Sequence, residues 1–353
     1  MLTPTHAVAA ILVESGKPLV VDEIQLPSEL RFGQVLVEVH YSGICGAQIN
    51  EIQAAKGPDK FLPHLLGHEG YATVLEVGEG VTTVKAGERV VMHWRPGSGL
   101  QGPTAKYRWG DRTVNSGWVT TFNTHAVVSE NRVTVVDPTF DPKVAPLLGC
   151  ALTTAFGVVN NDAGVRVGES VVVIGTGGVG LALIQAARMV SAYPILGIDL
   201  HSKKLDAALR LGASHVIDSS TEEEVEKTAR AMLGEDEADV VIETTGVASL
   251  IEMAYRLTSS SGRTVCVGVP AAGQEVRIYT LPLHFDKILT GSHGGDCRPD
   301  YDIPRLVRLA QSERVSFDSL PTTLSSLYDV NHAIARMSAG EIGRQLLDMS
   351  ELA

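Results

Sequence analysis

The sequence predicts an α/β protein in which an irregular, β-rich domain precedes a doubly wound parallel sheet. Three observations predict it. Up to about residue 150 the apolar residues fall in short runs between Gly, Pro and Asn turns. From about residue 170 strand-like and helix-like runs alternate. Where the rhythm changes, an apolar strand enters a glycine-rich turn that opens a helix.

Taken in order, HAVAAILVE, QVLVEVHYSG, YATVLEVGEG, ERVVMHW and THAVVSENRVTVV read as strands of a largely antiparallel domain. HAVAAILVE has no basic flank and stops at Glu14, so it reads as a strand and not as a signal peptide. SVVVIGTGGVG is a buried strand and turn, VGLALIQAARMV a helix, YPILGIDL a strand, SKKLDAALRLGA a helix and SHVID a short strand. EEEVEKTARAML, ADVVIETTG, SLIEMAYRLT and GRTVCVGVP continue the alternation. Beyond about residue 292 the pattern loosens into helical IPRLVRLAQ and DVNHAIARMSAG and a last strand, RQLLDM, which is expected to pack back on the first domain. The expected division is therefore 1–151 with 292–353, and 152–291.

The bulk properties narrow the function. A chain of 353 residues is too long for one small core. A net charge of −12 without a basic run argues against nucleic acid and anionic membranes as partners. No apolar run is long enough to span a bilayer. Cys45, Cys150, Cys266 and Cys297 lie far apart, unlike a small disulfide scaffold, and read as reduced thiols of a cytoplasmic protein.

The strongest local signal is Gly175-Thr176-Gly177-Gly178-Val179-Gly180. Gly175 permits the tight turn, Gly177 lets a pyrophosphate approach the backbone, and Gly180 lets helix and strand pack closely. The helix N-terminus offers free N–H groups and a positive dipole end to phosphates. Asp199 ends the next strand, where a carboxylate can accept from both ribose hydroxyls and repel a 2′-phosphate, so NAD is favoured over NADP. A glycine turn that binds nothing, with Asp199 as a helix cap, is the alternative.

A second constellation is dispersed. Cys45 sits in the glycine-flanked turn GICGAQINE, His68 and Glu69 in LLGHEGYATV, and Cys150 follows Gly149. Two thiolates and one imidazole match a catalytic zinc site with one open position. Glu69 could join as a transient ligand or as a carboxylate behind the ligands. Taken singly, a buried cysteine is usually a small hydrophobe. Cys266, inside TVCVGV, reads as such, and Cys297, in GGDCRPD, has no partner the sequence names.

Together these pieces resemble, from end to end, the zinc-dependent alcohol dehydrogenase branch of the medium-chain dehydrogenase/reductase superfamily. The GHE turn at His68, with Gly78 and Val81 downstream, is similar to its zinc signature, although Ala72 stands where that signature prefers glycine. Gly149-Cys150, with Thr154 one helical turn later, resembles the third ligand and a cofactor-facing threonine. The resemblance implies a GroES-like catalytic domain and a Rossmann coenzyme domain. It also implies an adenosine-ribose contact at Lys204, a phosphate-binding arginine at Arg344 in GRQLLD, and a substrate-pocket aromatic at Trp94. A surface arginine is the alternative at Arg344.

Two departures matter. Where many relatives carry a structural zinc on four close cysteines, residues 95–117 (RPGSGLQGPTAKYRWGDRTVNSG) hold none, so one zinc per chain is expected. That segment reads either as a solvated loop or as a lid or subunit contact meeting a polar or anionic substrate. Where many relatives carry a proton-relaying Ser or Thr two residues after the first zinc cysteine, this chain has Ala47, a second substrate-pocket position, and Asn50 follows where a further relay group would stand. Gln48 occupies the place of an aspartate that orients the zinc histidine. The proton then leaves by water, substrate, cofactor ribose, Glu69 or Glu51, with His40, His64 and His93 as unplaced candidates. The resemblance thus implies a cytoplasmic, homodimeric or homotetrameric NAD-dependent dehydrogenase of a secondary or polyhydroxylated alcohol, or its carbonyl. A zinc-independent quinone-reductase-like enzyme and a non-catalytic nucleotide-binding sensor are the rivals.

Overall fold

The computed structural model describes residues 2–234, 237–317, 320, 322–341 and 343–350. The chain folds into two compact units, residues 1–153 with 298–353 and residues 154–297. In chain order the first unit has strands β1 (His6–Leu12), β2 (Val20–Gln25) and β3 (Gln34–Ile44), and helix α1 (Gly46–Ile52). Strands β4 (His64–Leu65), β5 (Gly70–Val77), β6 (Arg89–Met92), β7 (Lys106–Trp109), β8 (Arg112–Asn115), β9 (His125–Ser129) and β10 (Val133–Val135) follow. After helix α2 (Ala151–Gly157) come β11 (Val171–Ile174), α3 (Gly178–Met189), β12 (Ile195–Asp199), α4 (Ser202–Leu211) and β13 (His215–Asp218). The second unit continues with α5 (Val225–Met232), β14 (Ala238–Glu243), α6 (Ala248–Leu257), β15 (Thr258–Cys266) and β16 (Ile288–Gly291). Helix α7 (Pro299–Gln311), β17 (Thr322–Ser326), α8 (Val330–Ser338) and β18 (Arg344–Asp348) then complete the first unit.

The second unit is a parallel sheet in the order β13-β12-β11-β14-β15-β16. Its central strands read as continuous apolar runs because both faces are covered: every residue of Val171–Ile174 is buried. Burying each such side chain contributes roughly 1.5–3 kcal/mol. The chain leaves β11 in one direction across the sheet and returns to β14 on its other side, which places the topological switch at the carboxyl ends of these two strands.

In the first unit β1-β2-β7-β8-β4 close into a barrel, and a second sheet runs β10-β6-β5-β3-β18-β17 with β9 also on β3. Strand β18 pairs antiparallel with β3, so Gln345–Asp348, far along the chain from β3, form part of this sheet. Residues 95–117 do not form a plain solvated loop. Lys106–Trp109 and Arg112–Asn115 make a hairpin that helps close the barrel. The reason is alternation: Tyr107 and Val114 point inward at 1% and 0% exposure, while Lys106, Arg108 and Arg112 point out. The preceding stretch is held by Glu130, whose carboxylate accepts from the N–H groups of Leu100, Thr82 and Thr83. No helix among the described residues is long and apolar enough to cross a membrane.

Candidate metal centre and nucleotide turn

Strand register assembles the candidate metal ligands. β3 and β5 pair antiparallel with Ser42 opposite Gly70, and the Gly43 N–H donates to the Glu69 carbonyl at 3.0 Å. The end of β3 therefore delivers Cys45 beside the turn that carries His68. Cys150 arrives through Gly149. A Cβ at Gly149 would lie 2.2 Å from the Met92 carbonyl and 3.0 Å from the Glu69 Cα, so only glycine lets the chain press this closely on β5 and β6.

One donor atom each from Cys45, His68 and Cys150 lies within 4.8 Å of the others, and the two sulfurs are 4.0 Å apart. The Nε2 of His68 is buried without a hydrogen-bond partner. A buried imidazole nitrogen left unpaired beside two thiols is the donor set of a zinc site. The electrostatics agree. The Cys150 thiol and then His68 hold Cys45 well below the usual thiol range, while the shared proton and burial push Cys150 up. Burial opposes the charge of His68, but the Cys45 thiolate outweighs it and raises the imidazole.

The supporting groups are partly those the sequence suggests. Gln48 is buried, accepts the Cys45 N–H through Oε1 at 3.0 Å and bonds the His68 Nδ1 through its amide nitrogen. Glu69 is fully buried and turns its carboxylate to Arg344, leaving Oε2 without a partner. Burial pushes the Glu69 carboxyl up and Arg344 opposes it. Burial works against the charge of Arg344 too, but Glu69 and the two cysteines outweigh it and keep the guanidinium protonated. Arg344 is thus not on the surface but 3% exposed against Glu69. Nothing in the sequence spacing links these residues; only the pairing of β18 with β3 does.

Around them, the Trp94 ring lies tilted against His68, with centroids 6.5 Å apart, and Arg95 sits over the Trp94 ring. Ala47 is exposed on α1. The three unplaced histidines differ. His93 is buried between the Arg95 carbonyl and Thr134, with burial lowering its pKa to about 4. His40 bonds Thr73 and Arg89. His64 is buried, bonds Asp59 at 2.7 Å through Nε2, and lies 4.0 Å from the Glu51 carboxylate. Cys266 is half-buried in β15, where burial pushes its thiol up to about 11, and Cys297 is buried.

In the second unit the glycine turn leaves β11 with the three properties its sequence asks for. Gly175 has φ +87°, a Cβ on Gly177 would meet open space, and a Cβ on Gly180 would sit 2.0 Å from the Gly175 carbonyl. Gly178 opens helix α3, with Val179 next to it. Asp199 closes β12 and accepts the Thr176 N–H at 2.8 Å and the His201 N–H at 3.0 Å. Lys204 reaches within 3.9 Å of the Asp199 carboxylate. Thr154 is buried on α2.

Family models match this chain as an alcohol dehydrogenase GroES-like domain over residues 31–138 and as a zinc-binding dehydrogenase over residues 178–312. The chain is 30% identical over 374 residues to the class-3 alcohol dehydrogenase of Cereibacter sphaeroides, covering 96% of this chain and 98% of that protein. It is 31% identical over 375 residues to the S-(hydroxymethyl)glutathione dehydrogenase of Paracoccus denitrificans, with the same shares covered. An alcohol dehydrogenase zinc-binding domain protein from Burkholderia ambifaria superposes with a TM-score of 0.88 at 27% identity, over 97% of this chain and 98% of that one. Benzyl alcohol dehydrogenase of Acinetobacter calcoaceticus shares the fold with a TM-score of 0.87 at 24% identity, over 97% of this chain and 99% of that one.

Proposed function

The chain belongs to the zinc-dependent alcohol dehydrogenases of the medium-chain dehydrogenase/reductase superfamily, and on that premise we propose that it moves a hydride between NAD and a secondary or polyhydroxylated alcohol, or the matching carbonyl. The observation that carries this reading is the Cys45, His68 and Cys150 donor set with the His68 Nε2 unpaired. These three residues would hold one zinc per chain. A zinc so held supplies Lewis acidity toward an alcohol or carbonyl oxygen. With no cysteine between residues 95 and 117, no second zinc is proposed there.

The remaining roles fall to the chain itself. Trp94, against His68, forms a wall that orients the carbon skeleton. The Gly175–Gly180 turn and the start of α3 receive the cofactor pyrophosphate, and Asp199 takes the adenosine ribose with Lys204 beside it. Thr154 lines the cofactor side. Arg344 holds the Glu69 carboxylate and, in this reading, also meets a cofactor phosphate. Ala47 has no hydroxyl to relay a proton. Glu51 does so in our reading, because it lies on the same helix as Ala47 and borders His64, which is itself anchored by Asp59.

The test is a screen of secondary alcohols, polyols, sugars and cyclitols with NAD, with S-(hydroxymethyl)glutathione as a separate arm because the Paracoccus denitrificans relative is named for that substrate. Turnover confined to the glutathione adduct would replace the polyol reading, and turnover after zinc removal would favour a metal-free enzyme. A homodimer or homotetramer is proposed because β16 is an edge strand flanked by exposed Tyr279 and Phe285, an arrangement suited to a second copy. Light scattering on the purified chain measures it. Four free thiols suit a reducing cytoplasm.

A further inference from the structure

Gln48 is 1% exposed and lies between two groups with fixed demands. The backbone N–H of Cys45 can only donate, so the atom facing it at 3.0 Å must be the amide oxygen. That leaves the NH₂ of Gln48 facing the His68 Nδ1. An NH₂ only donates, so Nδ1 must present its lone pair, and the proton of the neutral ring must sit on Nε2. Yet Nε2 is the nitrogen left for the metal. A histidine that ligates through Nε2 carries its proton on Nδ1 and normally donates it to an acceptor.

We infer that Gln48 is a positioning residue that works against metal capture: its amide fits His68 only as the Nε2–H tautomer, and binding of a metal at Nε2 turns the amide over and strips the Cys45 N–H of its acceptor. The inference rests on the zinc reading of Cys45, His68 and Cys150. In the loaded state the Cys45 N–H and the His68 Nδ1–H compete for one amide oxygen, while the NH₂ faces one of these donors. A carboxylate of the same length supplies two oxygens, one for each N–H, and has no donor of its own. Gln48 thus sets a metal affinity below what the three ligands could reach, and makes His68 the ligand that gives way first.

The experiment uses the full chain, stripped of metal and reloaded with zinc. Long-range ¹H–¹⁵N spectra of histidine-labelled, metal-free protein, with His68 assigned from a His68→Gln sample, should show the His68 proton on Nε2 in the native chain and on Nδ1 in Gln48→Glu. Zinc competition against a chromophoric chelator should show Gln48→Glu binding about 10- to 100-fold more tightly, the usual reach of groups behind a metal ligand. Asn50→Asp puts a new charge on the same helix, two residues beyond Gln48, and should change affinity only about twofold. A native chain with the proton on Nδ1 overturns the inference without need of any variant. So does a Gln48→Glu affinity no tighter than that of Asn50→Asp, since charge alone would then account for it. If zinc binds none of the three proteins, the zinc reading falls and takes the inference with it; if zinc binds all three equally, only the inference falls.

Discussion

In the second unit the residues expected to meet a nucleotide follow one another from Gly175 to Gly180, with Asp199 at the end of the next strand. In the first unit Cys45, His68 and Cys150 meet only because β3 and β5 pair in register and Gly149 presses against β6. The nucleotide turn is a local object whose geometry is dictated by its own glycines. The metal centre is a product of the whole sheet, and its support reaches β18 through Arg344. A substitution in the first should act locally. One in the second should spread into stability and metal retention.

The largest expected effect is at the ligands. Cys150→Ser should lower zinc content from one per chain to near none, as measured by elemental analysis. Zinc affinity should fall by more than about a hundredfold, because even groups behind a ligand are worth about 10- to 100-fold and serine is a poor zinc ligand. Zinc retained at one per chain would break the comparison by placing the site elsewhere.

Next is the support. Arg344→Leu leaves Glu69 buried and unpaired, which should cost about 3–5 kcal/mol in denaturant unfolding. Adding Glu69→Gln should return most of it, because the second change removes the stranded charge. A single mutant as stable as the native chain would mean that the first unit does not depend on its last strand in this way.

These two sites also show why one was legible in the sequence and the other only in part. The glycine motif carries its own backbone demands, so φ +87° at Gly175 and the 2.0 Å approach at Gly180 could be read from residue types alone. The metal ligands could be read because Cys, His and Cys in glycine turns form a recognisable set. Their support could not. The bond between Glu69 and Arg344 joins residues 275 apart in sequence, and nothing local to either announces it. The β7–β8 hairpin was hidden for another reason. Glycine, proline and arginine are frequent in residues 95–117, and few apolar side chains, Ala105, Tyr107 and Val114 with Trp109 beside them, mark the face that packs in the barrel. The role of Gln48 in satisfying the Cys45 N–H depends on which amide atom faces which neighbour, a detail that exists only in three dimensions.

A smaller effect concerns the proton. The Glu51 side chain is 46% exposed, but desolvation by the groups packed around it raises its carboxyl above its ordinary value; His64, His68 and Lys56 pull it back and Asp59 pushes it up. As the base in alcohol oxidation it must be ionised, so turnover should rise as pH climbs through its raised pKa. Glu51→Gln should flatten that limb and lower kcat by about a hundredfold, the lower end of acid–base assistance. Ala47→Ser should leave turnover of simple alcohols intact or raise it. A pH profile unchanged in Glu51→Gln sends the proton by another route.

The smallest expected effect sharpens the local side of the comparison. On the proposed reading Asp199 meets a 2′-phosphate with a negative charge, but Lys204 stands 3.9 Å from that charge and offsets part of it. The net preference for NAD over NADP from this pair should therefore be modest, about 1–2 kcal/mol or roughly tenfold in kcat/KM. Asp199→Asn keeps an oxygen for the Thr176 N–H, so the turn stays in place while the charge is lost, and the preference should fall toward parity. Lys204→Ala should move it the other way by exposing the full carboxylate to the phosphate. Neither change should alter zinc content, because both residues lie in the second unit and the ligands in the first. If Asp199→Asn leaves the cofactor ratio unchanged while lowering zinc content, the nucleotide turn is not the local object that its glycines describe.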